Sequence, residues 1–348
     1  MVSKCAISQS DKTISRMDEI ISGIKDPVTQ VDTIISFIPE VMSINLDKAL
    51  NYCNEAYKIS LENDYMGGKK TTLYYYSLIY KSKGELDSSL KFTSRYLALG
   101  EATNDSAVLA NAYLQMGNIL KRNGVLDSAQ ICFNKANGFF TALNHVKGMI
   151  AVMNAQGSFF NNNSEFDSAT FYFLNVLRLS EKNNFVKGIE SALINLGNVK
   201  LAGNEDSIAR LYYMKSLSVS IPLKNSKNIA LAYANLGIIK MNENNYDSAM
   251  VYFEKAIETQ DQIRSIININ NVYINQSYIY KLRKEYNKAL EKCNLAIVAF
   301  TTKTDYPIGL STALKSKADI ISELGMIEQA TTLLDSSMAI AKGIENFN

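Results

Sequence analysis

Residues 228–257 read NIALAYANLGIIKMNENNYDSAMVYFEKAI. Leu231, Leu236, Gly237 and Ile239 recur at helical spacing in the first half, and Ala249, Phe253 and Ala256 do so in the second. Asn-rich turn residues and an Asp-Ser pair separate the halves. This predicts a helix, a tight turn and a second helix, with small residues where the two touch. The same pattern returns at forty-residue steps, and such self-similarity means a repeat array before any other feature is considered.

The small residue of each first helix falls at Ser77, Gly117, Gly157, Gly197, Gly237 and Ser277, and one insertion moves the next to Ala318. Twelve residues after each stands a second small residue, from Ser89 and Ala129 to Ala289 and Ala330. Four further on comes a bulky partner: Phe133, Phe173, Tyr213 and Phe253, then Cys293 and Leu334. Small residues let two helix backbones approach, and the aromatic fills the space they leave. Asp47, Asp87, Asp127, Asp167 and Asp247 read as N-caps of the second helices, with Leu86, Leu126, Phe166, Tyr246, Tyr286 and Ile327 in the place of a hydrophobic staple. Residues 203–207, GNEDS, depart from the pattern and predict an irregular turn.

Ahead of the array, Thr13 to Lys25 predicts an amphipathic helix that stops at Asp26-Pro27. A weakly patterned helix over Val28–Met42 and a clear one from Lys48 follow. The expected organisation is a leader and N-terminal helix over residues 1–26, then one repeat domain over 27–348.

These spacings resemble the tetratricopeptide repeat (TPR) family, over about residues 28 to 345. The resemblance implies an all-α fold, an α-solenoid wound as a right-handed superhelix of about eight helix pairs. The family repeat is about 34 residues, so a period of forty implies longer helices or connections. Trp and the closing Pro of the consensus are missing. Linkers such as Val146-Lys147-Gly148 and Val186-Lys187-Gly188 are similar to those in TPR regions of bacterial sensor and regulator proteins.

Composition excludes several function classes. Apolar residues make up 47% of 348, enough for a continuous core. Lys and Arg number 36 against 34 acidic residues, so no strong field favours nucleic acid or an anionic membrane. No apolar run is long enough to span a bilayer. The bacterial cytoplasm and the periplasm both remain open as compartments, the latter if Ala6-Ile7-Ser8-Gln9 ends a trimmed signal peptide. Cys5, Cys53, Cys132 and Cys293 lack metal-ligand spacing. Gly67-Gly68-Lys69 lacks the first Gly and the Ser/Thr of a phosphate loop, and Gly68 shares its repeat position with Gly148, Gly188 and Gly309, so it reads as a helix-entry glycine. His145, the single histidine, reads as a solvated linker residue. No nucleophile motif appears, and the expectation is a non-enzymatic chain without cofactor or metal.

What remains for function is the groove. In the TPR family, first helices line a concave face, and residues two before and one after the small position project into it. Here those positions hold Gln115, Asn195, Asn235 and Asn275, and Asn118, Ser158, Asn198 and Tyr278, with Asn154 in place of Ala155. A carboxamide offers a donor and an acceptor to one peptide unit. A ladder of them suits an extended peptide, with Arg122, Lys121 and Lys81 one turn on for a carboxylate. Tyr74, Tyr75, Tyr113, Tyr233 and Tyr273 add contact surface. The same Asn residues also suit a structural role, bonding neighbouring helices. The partner expected is a protein or peptide in signalling or regulation. An assembly scaffold using the convex face or ends, and a phosphatase-like output on a response regulator, are the alternatives. The apolar stripe of the last helix, with Leu333, Leu334 and Met338, allows a homodimer through the C-terminal end.

Overall fold

The computed structural model describes residues 9–261, 269–303 and 307–345, so the leader reading at Ala6-Ile7-Ser8 and Cys5 lie outside the described residues. The chain divides into two units, Met1–Ala155 and Gln156–Asn348. Unit 1 holds α1 (Gln9–Ser22), α2 (Pro27–Ile44), α3 (Leu46–Glu62), α4 (Met66–Ser82), α5 (Leu86–Ala102), α6 (Ser106–Arg122), α7 (Leu126–Ala142) and the start of α8 (Val146–Asn162). Unit 2 continues with α9 (Phe166–Lys182), α10 (Val186–Ala202), α11 (Asp206–Ser220), α12 (Ser226–Asn242) and α13 (Tyr246–Asp261). It ends with α14 (Ile269–Leu282), α15 (Tyr286–Lys303), α16 (Pro307–Glu323) and α17 (Ile327–Glu345). All described elements are helices, as the repeat pattern predicts.

The longer period resolves into helices of 17 residues joined by three-residue turns. A residue with positive φ recurs every twenty positions: Asp64, Gly84, Asn104, Gly124, Asn144, Ser164, Asn184, Asn204, Lys224, Asn244 and Lys284. The next N–H closes a six-residue bond to the preceding helix, as from Glu85 to the Tyr80 carbonyl at 3.0 Å. That is the Schellman stop, which satisfies carbonyls the helix end leaves open. Turns within pairs and turns between pairs are thus the same device. Residues 203–207 prove regular, since Asn204 takes the left-handed position like its equivalents. With 15 residues, α11 is shorter than its neighbours α10 and α12 and ends ahead of Pro222.

The aspartates read as caps lie two residues too far on. The N-cap of α3 is Asn45, whose Oδ1 accepts from the Lys48 N–H at 2.9 Å, and Asp47 is in the first turn. There it favours the positive helix end and stays available for Lys83 of the next pair, 3.0 Å away. Leu86 and Leu126 are likewise first helical residues, not staples before a cap.

Within each unit, consecutive first helices approach one another: α2, α4 and α6 in unit 1, and α10, α12, α14 and α16 in unit 2. Consecutive second helices do not, among the described residues. The first helices therefore line the inner side of each unit. The small positions explain the close pairing. A Cβ added to Gly117 would stand 2.6 Å from the Phe133 ring, and one on Gly197 2.5 Å from the Tyr213 ring. Phe133, Phe173, Tyr213 and Phe253 are fully buried, each contributing about 1.5–3 kcal/mol. Gly68 packs against Ser60 and Val31, so its repeat position serves the contact between pairs.

Candidate functional site

In unit 2 the positions two before and one after the small residue lie on first helices and are half-buried: Asn195 and Asn198 on α10, Asn235 on α12, Asn275 on α14, and Ser158 on α8. Tyr278 is exposed, at 47%. Asn235 Nδ2 donates to Asn198 Oδ1 at 3.0 Å, and the Tyr213 hydroxyl donates to the same oxygen at 2.8 Å. The two carboxamides therefore tie α10 to α12, which is the structural role their residue type allows. The bond consumes only half of each. Asn198 keeps its Nδ2 donors and Asn235 its Oδ1 acceptor, together the complement of one peptide unit.

Unit 1 treats the same positions differently. Gln115 is buried at 6%, with its Oε1 accepting from Lys81 Nζ at 3.0 Å and a further hydrogen bond linking it to Tyr74. Asn118 is half-buried and Asn154 likewise. Arg122 is exposed, and its Nη1 donates to the Lys81 carbonyl at 3.0 Å. Lys81 and Lys121 lie in the last turns of α4 and α6. Both are held below the ordinary lysine pKa, first by burial and then by the neighbouring cations. Tyr113 and Tyr233 are given to helix pairing instead of to the groove: Tyr113 stacks on Phe139, and Tyr233 lies against Tyr252 and Lys255. Tyr273 has Lys292 over its ring.

His145 is exposed, as expected of a linker, but it is not idle. Its Nδ1 accepts from the Gly148 N–H at 3.1 Å, and its ring stacks on Phe140, so it caps α8. Cys53, Cys132 and Cys293 are buried free thiols, and burial raises the pKa of each.

A buried carboxylate escapes the groove pattern. Glu190, 3% exposed, accepts from Ser220 Oγ at 2.7 Å and from Asn225 Nδ2 at 3.0 Å. At the corresponding place in unit 1, Lys70 Nζ reaches Asp105 at 2.8 Å. Ala110, Ile150 and Ala230 occupy that position elsewhere, so a charged residue in an apolar register, with a polar helix cap 35 residues on, is the signal that marks such bridges.

A family model described as tetratricopeptide repeat matches residues 230–262. No curated protein sequence matches the chain. Among solved structures, the apo form of the quorum sensor NprR from B. thuringiensis shares 14% identity, covering 96% of this chain and 94% of that one, with a TM-score of 0.66. A Rap protein complexed with Competence and Sporulation Factor shares 12% identity over 98% and 95%, with a TM-score of 0.66. Aspartyl phosphate phosphatase F from Bacillus subtilis shares 12% over 98% and 96%, with a TM-score of 0.60. These likenesses concern the fold. Among the described residues, no helix is long and apolar enough to cross a membrane.

Proposed function

We propose that this protein, built of tetratricopeptide-type helix pairs, is a non-enzymatic protein-binding module that holds an extended peptide segment against its first helices. The observation that carries the reading is the Asn198–Asn235 pair. One hydrogen bond fixes both amides, yet leaves a donor and an acceptor side by side on the inner side of unit 2. Asn195 and Asn275 repeat the position on either side at forty-residue steps, which suits a segment held by its backbone. Side-chain selection then falls to neighbours such as Tyr278 and Ile238. A role in signalling or regulation follows by analogy with the quorum sensor and the Rap protein that share the fold.

The scaffold alternative rests on a different face. Phe171, Leu211 and Val251 stand forty residues apart on second helices and are each more than half exposed. A phosphatase-like output would draw on the N-terminal helices. There Asp18 is taken up by Lys48 Nζ at 2.9 Å and the Tyr52 hydroxyl at 2.8 Å.

The test is a peptide array probed with the full chain, the Asn195→Ala/Asn235→Ala/Asn275→Ala variant, and backbone N-methylated copies of any hit. Three lost amide bonds at about 1 kcal/mol each predict roughly hundredfold weaker binding. N-methylation of the peptide should weaken it comparably. Unchanged binding by a variant that keeps its helical circular dichroism sinks the ladder and favours the second-helix face.

A further inference from the structure

Cations and acids nearly balance over the whole chain, but unit 2 does not spread them evenly. At the C-terminal ends of its first helices the cations are paired. Lys200 meets Glu205 at 2.8 Å, Lys240 meets Glu243 at 2.7 Å and Lys281 meets Glu323 at 3.4 Å. The opposite ends of α10 and α12 differ. Residues 181–187 and 220–228, which lead into these two helices, hold four lysines, Lys182, Lys187, Lys224 and Lys227, and one carboxylate, Glu181. All four lysines are exposed, and among the described residues no ion pair joins them to an acid. Lys187 and Lys227 stand in the first turn of a helix, where the macrodipole disfavours a cation, so helix stability does not account for them.

The turn between α11 and α12 also carries apolar side chains outward. It runs over residues 221–225, whereas three residues suffice between α9 and α10. Ile221 and Leu223 are each 50% exposed, on either side of exposed Pro222, and Val186 at the start of α10 is 40% exposed. The matching places in the α9–α10 turn hold Glu181, Lys182 and Asn183, so the repeat register does not require apolar residues here. This turn is braced from below. Buried Glu190 on α10 accepts from Ser220 Oγ and Asn225 Nδ2, the two residues that bracket Ile221 to Lys224. The same bridge lays the turn against the start of α10, alongside Val186 and Lys187. Lys224 is held at φ 52°, a left-handed conformation that costs any residue with a Cβ, where the α9–α10 turn uses Asn184.

We propose that this edge of unit 2 binds an anionic lipid surface, with Ile221, Pro222 and Leu223 as the inserting tip and Lys182, Lys187, Lys224 and Lys227 facing the headgroups. Apolar side chains ringed by lysines match an interface that is anionic outside and hydrocarbon within. Lysine, a compact and strongly hydrated charge, suits diffuse attraction to headgroups, whereas fixed pairing with the carboxylates of an acidic protein favours arginine. Glu254 and Glu258, exposed on α13, limit the surface on that side. The contact is with the membrane surface and needs no spanning helix. It uses none of the asparagines of the proposed peptide site.

The probes are sucrose-loaded vesicles of phosphatidylcholine alone and of phosphatidylcholine mixed with phosphatidylserine, sedimented with the full chain at low salt. The chain should sediment with the mixed vesicles only, and added salt should release it. Lys224→Gln/Lys227→Gln should weaken this binding roughly thirtyfold. Lys284→Gln, exposed and left-handed at the opposite edge, should leave it unchanged. Ile221→Ser/Leu223→Ser should weaken it roughly tenfold. The chain contains no tryptophan, so Leu223→Trp supplies a single reporter. Its emission should shift to the blue on the mixed vesicles, and that of Leu282→Trp, exposed at the opposite edge, should not. Equal sedimentation with both kinds of vesicle, or an unmoved emission from Leu223→Trp, overturns the proposal. Binding to soluble polyglutamate that needs the lysines but not Ile221 and Leu223 would assign the edge to an acidic protein and overturn it as well.

Discussion

The helix pairs α4–α5 and α12–α13 share the same turn and register, yet hold together by different chemistry. In α12–α13 the small position is Gly237, and the Phe253 ring fills the space above it, with Ala249 completing the contact. In α4–α5 the corresponding residues are Ser77, Ser89 and Thr93, all buried. Ser77 Oγ lies 2.6 Å from Thr93 Oγ1, Ser89 Oγ donates to the Ser77 carbonyl at 2.8 Å, and Thr93 Oγ1 donates to the Ser89 carbonyl at 2.8 Å. Unit 2 repeats the second solution in α14–α15, where Ser277 Oγ meets the Ala289 carbonyl at 2.9 Å and Cys293 Sγ at 3.0 Å. The repeat therefore conserves volume, not residue type. Glycine goes with an aromatic, and serine goes with threonine or cysteine.

The largest expected effect breaks the apolar version. Phe253→Ala leaves a ring-sized cavity in a contact with no slack and should cost about 3–5 kcal/mol in urea unfolding. Gly237→Ser alone forces the hydroxyl into the ring and should also destabilise strongly. The double change Gly237→Ser/Phe253→Cys rebuilds the arrangement of Ser277 and Cys293, so it should cost clearly less than the sum of its parts. An additive result would show that the two positions do not compensate each other.

A smaller effect is expected from the polar version. Thr93→Val keeps the shape but leaves Ser77 Oγ without its 2.6 Å partner, and it should cost about 1–3 kcal/mol. Ser77→Gly with Thr93→Phe imports the apolar solution and should recover most of that loss. Failure to recover would mean that α4 and α5 sit at a spacing the aromatic cannot use.

How much of this was legible in the sequence depends on what each feature needs. The forty-residue period could be read because Gly237, Ala249 and Phe253 recur as residue types. The twenty-residue period beneath it could not, because only Gly84, Gly124 and the asparagines advertise a left-handed turn, and Lys224 and Lys284 adopt one without any such sign. The aspartates at the second helices were legible as helix starts, but a cap and a first-turn acid differ by only two residues and need the backbone to separate them. For the candidate site, register placed Asn195, Asn198, Asn235, Asn275 and Tyr278 on first helices, where Asn198 and Asn235 meet. It also placed Gln115 on a first helix, and only packing shows that this side chain is turned into Lys81 and Tyr74. That Lys81 is bound to the neutral amide of Gln115 while Lys281, in the same register, meets Glu323 was beyond sequence altogether.

The smallest effect sharpens the comparison at the turns. The α4–α5 turn places Gly84 at φ 81°, and the α12–α13 turn places Asn244 at φ 57°. Both are left-handed, a region that asparagine visits routinely and that a residue with an ordinary Cβ enters at roughly 1–2 kcal/mol. Gly84→Asn and Asn244→Gly should therefore each shift stability by less than about 1 kcal/mol. Gly84→Ala should cost about 1 kcal/mol, because nothing crowds the added Cβ and the whole penalty is conformational. Lys284, at φ 60°, already bears that strain, and Lys284→Gly should raise Tm slightly. If Gly84→Ala and Lys284→Gly both leave the unfolding midpoint unmoved, the Schellman bond from Glu85 to Tyr80 and its equivalent from Glu285 to Tyr280 hold these turns irrespective of the residue within them.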